Sequence, residues 1–227
     1  MASYRRNIIF LLVLFLLTGC SIVLQKGRRS DIEKIQTLED RRHSDSERIK
    51  LLEDRLAELK NARNQLEDRL SKELASKKVS VKMEDKGLVI TFIAEVLFDS
   101  GKAELREDSL PILDKVAGIL KQEVPNNYIN IEGHTDNEPI KYSLWTSNWE
   151  LSSHRALSVL IYLETKGINP QMLSATGFGE YRPVGPNDTT ENRQLNRRVE
   201  IVIIANTIKR IDASDTLGKK YNKENLK

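Results

Sequence analysis

Hydrophobic positions along this 227-residue chain fall into three successive patterns. The first is an unbroken run from Ile8 to Leu17, preceded by Arg5 and Arg6 and followed by Thr18, Gly19 and Cys20. A positive start, a short apolar stretch and small residues at its end are the layout of a cleavable export signal. An uncleaved membrane helix is the competing reading. Nothing charged occurs from Asn7 to Gln25, and those 19 positions approach the roughly 20 residues a span requires.

The second pattern, over residues 31–78, is periodic. Leu38-Glu39-Asp40-Arg41 recurs as Leu52-Glu53-Asp54-Arg55 and Leu66-Glu67-Asp68-Arg69, a spacing of 14 residues or two heptads. With Ile35 at position a, residues Leu38, Leu52, Leu59 and Leu66 fall at d and Ile49, Leu56 and Leu70 at a, which is a coiled-coil seam. Arg42, Asp45 and Arg63 interrupt it, so residues 49–70 are the firmest stretch and the expected place of homo-oligomerisation. A single charged helix held by i,i+4 pairs is the alternative. The segment carries 12 acidic and 12 basic residues among 48 and no Gly, Pro or aromatic residue, so it has no means of building a globular core. About 40 helical residues rising ~1.5 Å each reach roughly 60 Å, which makes the segment a spacer.

From Val79 the pattern is that of a compact domain. Leu88-Val89-Ile90-Thr91-Phe92-Ile93 reads as a strand, and residues 104–120 carry a helical stripe at Leu105, Ile112, Leu113, Val116, Ile119 and Leu120. Tyr128-Ile129-Asn130-Ile131 is a second strand. Ser147 with Glu150 three residues later announces a helix that runs through Leu163 and stops at Gly167. Residues 173–178 and 199–204 supply two more strands. Strands alternating with helices over about 125 residues predict an α/β sandwich, with helices on one or both faces of a small mixed sheet, preceded by the long coiled-coil helix. The chain thus divides into a signal segment 1–19, a linker 20–30, a spacer 31–78, a domain 79–205 and a polar Lys-rich tail 206–227 expected to be disordered.

Charge and cysteine content narrow the function. Lys plus Arg number 36 against 33 Asp plus Glu, and no basic block stands out, so nucleic acid is not an expected partner. A single cysteine forbids an internal disulfide framework and a cysteine-rich zinc site. His134 and His154 lack a recognisable ligand spacing, so neither metal nor cofactor is expected. No Gly-x-Ser-x-Gly elbow or comparable nucleophile setting is present, and catalysis is not expected either.

Two resemblances then give the patterns a purpose. Leu17-Thr18-Gly19-Cys20 resembles a bacterial lipobox, which implies cleavage before Cys20 and acylation of that cysteine; Ser21 in the next position favours the outer membrane in that class. Each buried methylene of an acyl chain contributes about 0.8 kcal/mol, so a multiply acylated cysteine is a durable membrane anchor. Leu97-Phe98-Asp99-Ser100-Gly101, Ile131-Glu132-Gly133-His134-Thr135-Asp136-Asn137, Leu151-Ser152-Ser153-His154-Arg155-Ala156, Ser174-Ala175-Thr176-Gly177-Phe178-Gly179 and Asn196-Arg197-Arg198-Val199-Glu200-Ile201 resemble, in order, the OmpA-like C-terminal domain. The stretch 138–150 looks most like the MotB version found in flagellar stator subunits. The family resemblance implies noncovalent binding of peptidoglycan, through the diaminopimelate of the stem peptide, by a periplasm-facing protein. In that setting Asp136 takes the amino group and Arg155 the carboxylate, with Thr135, Asn137, Asp99 and Arg197 as further candidates.

The residues support the leading pair on their own chemistry. Arg155 flanks the helical stripe Ala156, Val159, Leu160 and Leu163, and a guanidinium emerging there calls for an anion. Asp136 follows a strand at its C-terminal end, where open α/β sheets bind ligands. An Asp and a forked Arg complement a zwitterion. The plainer alternative is that Asp136 and Arg155 pair with each other. Thr135 and Asn137 serve equally as turn formers, Asp99 as a turn cap, and Arg197 as the ion-pair partner of a buried carboxylate.

Overall fold

The computed structural model describes the backbone of residues 2–140 and 144–204 and the side chains of residues 31–140 and 144–204. The Cys20 side chain and the 206–227 tail lie outside the described residues. The chain separates into two compact units, Met1–Glu53 and Asp54–Lys227.

Helix α1 (Ala2–Arg69) begins in the first unit and ends in the second. In the first unit the seam positions Ile35, Leu38, Ile49 and Leu52 are exposed, as the flank of a helix awaiting a partner would be. In the second unit the same heptad register does something else. Leu59, Ala62, Leu66 and Leu70 are fully buried in the core of that unit, so the compact domain starts well before Val79 and residues 49–70 are not one continuous intermolecular seam. The reason is physical: an apolar stripe is satisfied by whichever apolar surface covers it, and here the domain's own core covers about the last three turns of the helix. Leu66→Ala is therefore expected to destabilise the second unit by about 2–5 kcal/mol, whereas Leu52→Ala shifts its denaturation free energy by less than about 0.5 kcal/mol. Equal effects in urea titrations would return the end of α1 to the spacer.

A short helix α2 (Ser71–Ala75) leads into β1 (Val79–Glu84) and β2 (Gly87–Ile93). Strand β1 was absent from the expected elements; Val79, Val81 and Met83 alternate with Ser80, Lys82 and Glu84, as suits an edge strand. Helices α3 (Ala94–Leu97) and α4 (Leu110–Glu123) follow. The expected start of α4 at residue 104 moves to Leu110 behind a 3₁₀ turn, Glu107–Ser109, because Pro111 fits only the first turn of a helix. Strand β3 (Ile129–His134), helix α5 (Asn148–Thr165), strand β4 (Leu173–Gly177), helix α6 (Thr190–Asn196) and strand β5 (Arg198–Ile203) complete the unit.

The sheet order is β1-β2-β5-β3-β4, with β3 and β4 parallel and the other pairs antiparallel, so the expected small mixed sheet is present. One alternating set of side chains, including Ile90, Phe92, Ile131, Val199 and Ile201, joins Leu113, Val116, Leu120, Ala156, Val159 and Leu163 of α4 and α5 in a single core. The other set on β3 and β5 is mostly polar, with Asn130, Glu132, His134, Arg198 and Glu200 beside Val202.

Helix α5 starts as expected, with Ser147 Oγ accepting the amide of Glu150 at 3.2 Å. Glu150 reaches back to the amide and hydroxyl of Thr146, both at 2.7 Å, one residue beyond the N-cap amide that the usual reciprocal bond takes. The helix then crosses β3 so closely that a Cβ on Gly133 would lie 2.0 Å from the Ser152 carbonyl oxygen. Only glycine permits that approach, and it places Arg155, one turn further on, over the end of the strand.

Candidate functional site

A cavity of about 380 Å³ opens where the end of β3, the segment after α3 and the start of α5 meet. Asp99, Thr135, Asp136, Arg155 and Arg197, all candidates from the sequence, line it; Asn137 is exposed and does not.

Arg155 is 4% exposed. Its Nε donates to the Lys102 carbonyl at 2.9 Å, and its guanidinium lies 5.3 Å from the centroid of the Phe98 ring. Burial lowers its pKa to about 10, with Arg197 adding to the effect and Glu95 and Asp136 opposing it. A cation so desolvated is costly until an anion meets it.

Asp136 is also buried, and it does not pair with Arg155. Its Oδ2 accepts from Arg197 at 2.6 Å and its Oδ1 from the Glu138 amide at 3.2 Å. Arg197 in turn donates to Glu95 Oε1 through Nη2 at 2.6 Å and Nε at 2.8 Å. Burial works against the Arg197 charge, but the bonds to Asp136 and Glu95 outweigh it and raise its pKa. Both roles considered for Arg197, pocket wall and partner of a buried carboxylate, are thus filled by one side chain. Since each carboxylate oxygen accepts two bonds, Asp136 retains capacity toward the cavity.

Asp99 accepts from Lys102 Nζ at 3.0 Å and Arg106 Nη1 at 3.1 Å, which pins the turn beside Arg155. Thr135 Oγ1 is buried without a hydrogen-bond partner at the cavity wall. Within the loop 138–150, residues 141–143 lie outside the described set. Glu95, Phe98 and Asn148 also line the cavity and were not singled out from the sequence. Only Glu95 left a signal, as a lone acid inside the apolar stretch 93–97. The result is four carboxylates, Glu95, Asp99, Asp136 and Glu138, and two guanidiniums lining one pocket, a surface complementary to a ligand carrying both charges.

On the polar face of the sheet, Glu132, His134 and Glu200 place three metal-type ligand atoms within 4.8 Å of one another. All four carboxylate oxygens there already have donors. Lys86 Nζ bonds Glu132 Oε2 at 2.9 Å and also Glu200 Oε2, Asn130 Nδ2 bonds Glu132 Oε1 at 2.9 Å, and Arg198 Nε bonds Glu200 Oε1 at 2.6 Å. A metal ion would have to expel Lys86 from a charge-balanced group.

An open α/β sandwich with a zwitterion-lined pocket at the end of a strand defines a small-ligand or peptide-binding module. Residues 97–197 match the OmpA family, so the chain carries an OmpA-like domain there. It is 42% identical over 128 residues to Motility protein B of Bacillus subtilis, covering 56% of this chain and 49% of that protein. It is 34% identical over 125 residues to the probable lipoprotein YiaD of Escherichia coli, covering 55% of each. Its structure matches that of the cell wall anchor of the T6SS from Pseudomonas aeruginosa at 31% identity and a TM-score of 0.57, over 63% of this chain and 98% of the other. The chain spans about half the length of the curated relatives it matches. Among the described residues no helix is long and apolar enough to cross a membrane.

Proposed function

We propose that this protein binds peptidoglycan noncovalently by gripping the diaminopimelate of the stem peptide, and that an acylated Cys20 ties it to the outer membrane facing the periplasm. The observation that carries the reading is the buried Arg155 guanidinium, without a carboxylate partner among the described residues, in one pocket with Asp136. The side-chain end of diaminopimelate bears an ammonium and a carboxylate. Asp136 receives the first and Arg155 the second through a forked pair of hydrogen bonds. Thr135 Oγ1 supplies a further polar contact, and Arg197 and Glu95 hold Asp136 in place. The work is binding and positioning, not catalysis. The exposed seam of residues 31–52 suits pairing with a second copy, and the spacer gives the domain reach between the two layers. Similarity to a cell wall anchor supports the same reading.

A second reading, a stator-like subunit held in the inner membrane by an uncleaved N-terminal helix, is favoured by the 42% identity to Motility protein B. Against it, no Asp or Glu occurs from Asn7 to Gln25, and an ion-conducting span needs an intramembrane acid. Palmitate labelling separates the two: incorporation lost in Cys20→Ser is expected of the tether, and an unlabelled wild type would favour the stator. Cosedimentation of the detergent-solubilised chain with purified peptidoglycan tests the binding itself. The protein is expected to pellet and to be released by free diaminopimelate; a protein that stays in solution would end the reading.

A further inference from the structure

Beside the pocket stands a feature that neither the core nor the acid and arginine set uses. Trp149 and Tyr181 stack with ring centroids 4.9 Å apart and an interplanar angle of 22°, yet they are 48% and 63% exposed. Two large aromatic rings left half in water forgo hydrophobic stabilisation that burial would provide. Their placement is nevertheless tightly specified. Gly179 adopts φ +54°, and a Cβ there would lie 3.3 Å from the Trp149 amide nitrogen and 3.6 Å from its indole, so glycine lets the 178–182 loop press against the start of α5. The Gly179 amide donates to Ser152 Oγ at 2.9 Å, and its carbonyl accepts from the amide of Thr135, a wall of the pocket, also at 2.9 Å. On the near side, Asn148 lines the pocket and bonds Glu180 Oε2 at 2.8 Å, so the residues preceding each ring are tied together at its rim. The pair is a rigid, exposed extension of the pocket.

We propose that the Trp149–Tyr181 pair is a second subsite that receives the N-acetylated amino-sugar strand of peptidoglycan, its pyranose rings lying on the aromatic faces. The inference rests on the stem-peptide reading of the pocket. Pyranose C–H groups are apolar and weakly positive, which suits the negative face of an aromatic ring. The stem peptide separates diaminopimelate from the sugar by only a few residues, each spanning about 3.5 Å or somewhat more, so a subsite adjoining the pocket rim lies within reach of the sugar. Continuity with the pocket favours the glycan over a protein partner.

The test titrates the full chain in detergent with three probes: the diaminopimelate-containing stem tripeptide, the same peptide on its N-acetylglucosamine–N-acetylmuramic acid disaccharide, and the disaccharide alone. The sugar-bearing peptide is expected to bind roughly three- to tenfold more tightly than the bare peptide, the range of one added aromatic contact. Tyr181→Ala and Trp149→Ala are expected to erase that difference while leaving the affinity for bare peptide unchanged. Equal affinity of the first two probes for the wild type, or an advantage that survives both substitutions, overturns the proposal. If bare peptide fails to bind while the disaccharide alone binds in a Tyr181-dependent manner, the subsite stands and the stem-peptide reading falls.

Discussion

Arg155→Met is expected to weaken binding of the stem peptide by more than about 30-fold while leaving the apo protein as stable as the wild type, to within about 1 kcal/mol. The two halves of this result have one cause. Arg155 is buried with its pKa lowered to about 10, its Nε bonds only a carbonyl, and the carboxylate nearest in function, Asp136, is engaged by Arg197. A buried charge without an ionic partner destabilises the free protein, so an apolar side chain of similar length loses one hydrogen bond and removes the desolvation penalty. A ligand carboxylate reverses this balance, because it supplies the missing partner in a site already stripped of water. Truncating one member of such a pair costs about 2–5 kcal/mol of binding. Asp136→Ala is expected to weaken binding as well, and there Arg197 keeps Glu95 as a partner at 2.6 Å. Calorimetric titration with the stem tripeptide, alongside thermal unfolding, checks both. Affinity within threefold of wild type in Arg155→Met would remove this residue from the site.

The elements marked by strong local signals were legible in the sequence. Ser147 caps α5 through a bond three residues long, and Gly167, with φ +85°, ends it; both are local chemistry. The β-branched runs of β2 and β5 face a core and read as strands for that reason. What depends on distant partners was not legible. A heptad seam records that Leu59, Leu66 and Leu70 will be covered and not by what, so the change of composition at Val79 falls later in the chain than the first residues of the core. Asp136 and Arg155 were recognised, but the clamp of Glu95, Arg197 and Asp136 spans 102 positions of chain and exists only once β5 lies beside β2 and β3. Glu132 and Glu200 sit opposite each other in neighbouring strands, and their shared counterion, Lys86, comes from the turn between β1 and β2. No window of sequence shows that register.

That same polar face sets the acid limit of the fold. His134 is 1% exposed, neither ring nitrogen has a hydrogen-bond partner, and it stacks on Phe178 with ring centroids 5.2 Å apart. Burial, followed by the charge of Arg198, lowers its pKa from 6.5 to about 3; Lys86 and Arg182 act in the same direction, and Glu200 opposes them. The sign follows directly. Above pH 6.5 the imidazole is neutral in both folded and unfolded chains and pH changes nothing. Below it the unfolded chain binds a proton that the folded chain refuses, so stability falls by up to about 1.4 kcal/mol per pH unit until the folded group titrates. Over the whole interval this approaches roughly 5 kcal/mol, comparable with the entire stability of a small domain. Between pH 6.5 and 5 few carboxylates have begun to protonate in the unfolded chain, which isolates the histidine contribution. The unfolding free energy of the wild type, from urea titrations, should fall by about 2 kcal/mol across that interval, and His134→Phe should flatten the slope whatever its absolute stability. An unchanged slope in the variant would show that His134 accepts its proton in the folded state; Glu200, whose bonds to Lys86 and Arg198 outweigh its burial and hold its pKa below the usual value, withdraws its stabilisation only at lower pH, below the usual carboxylate range.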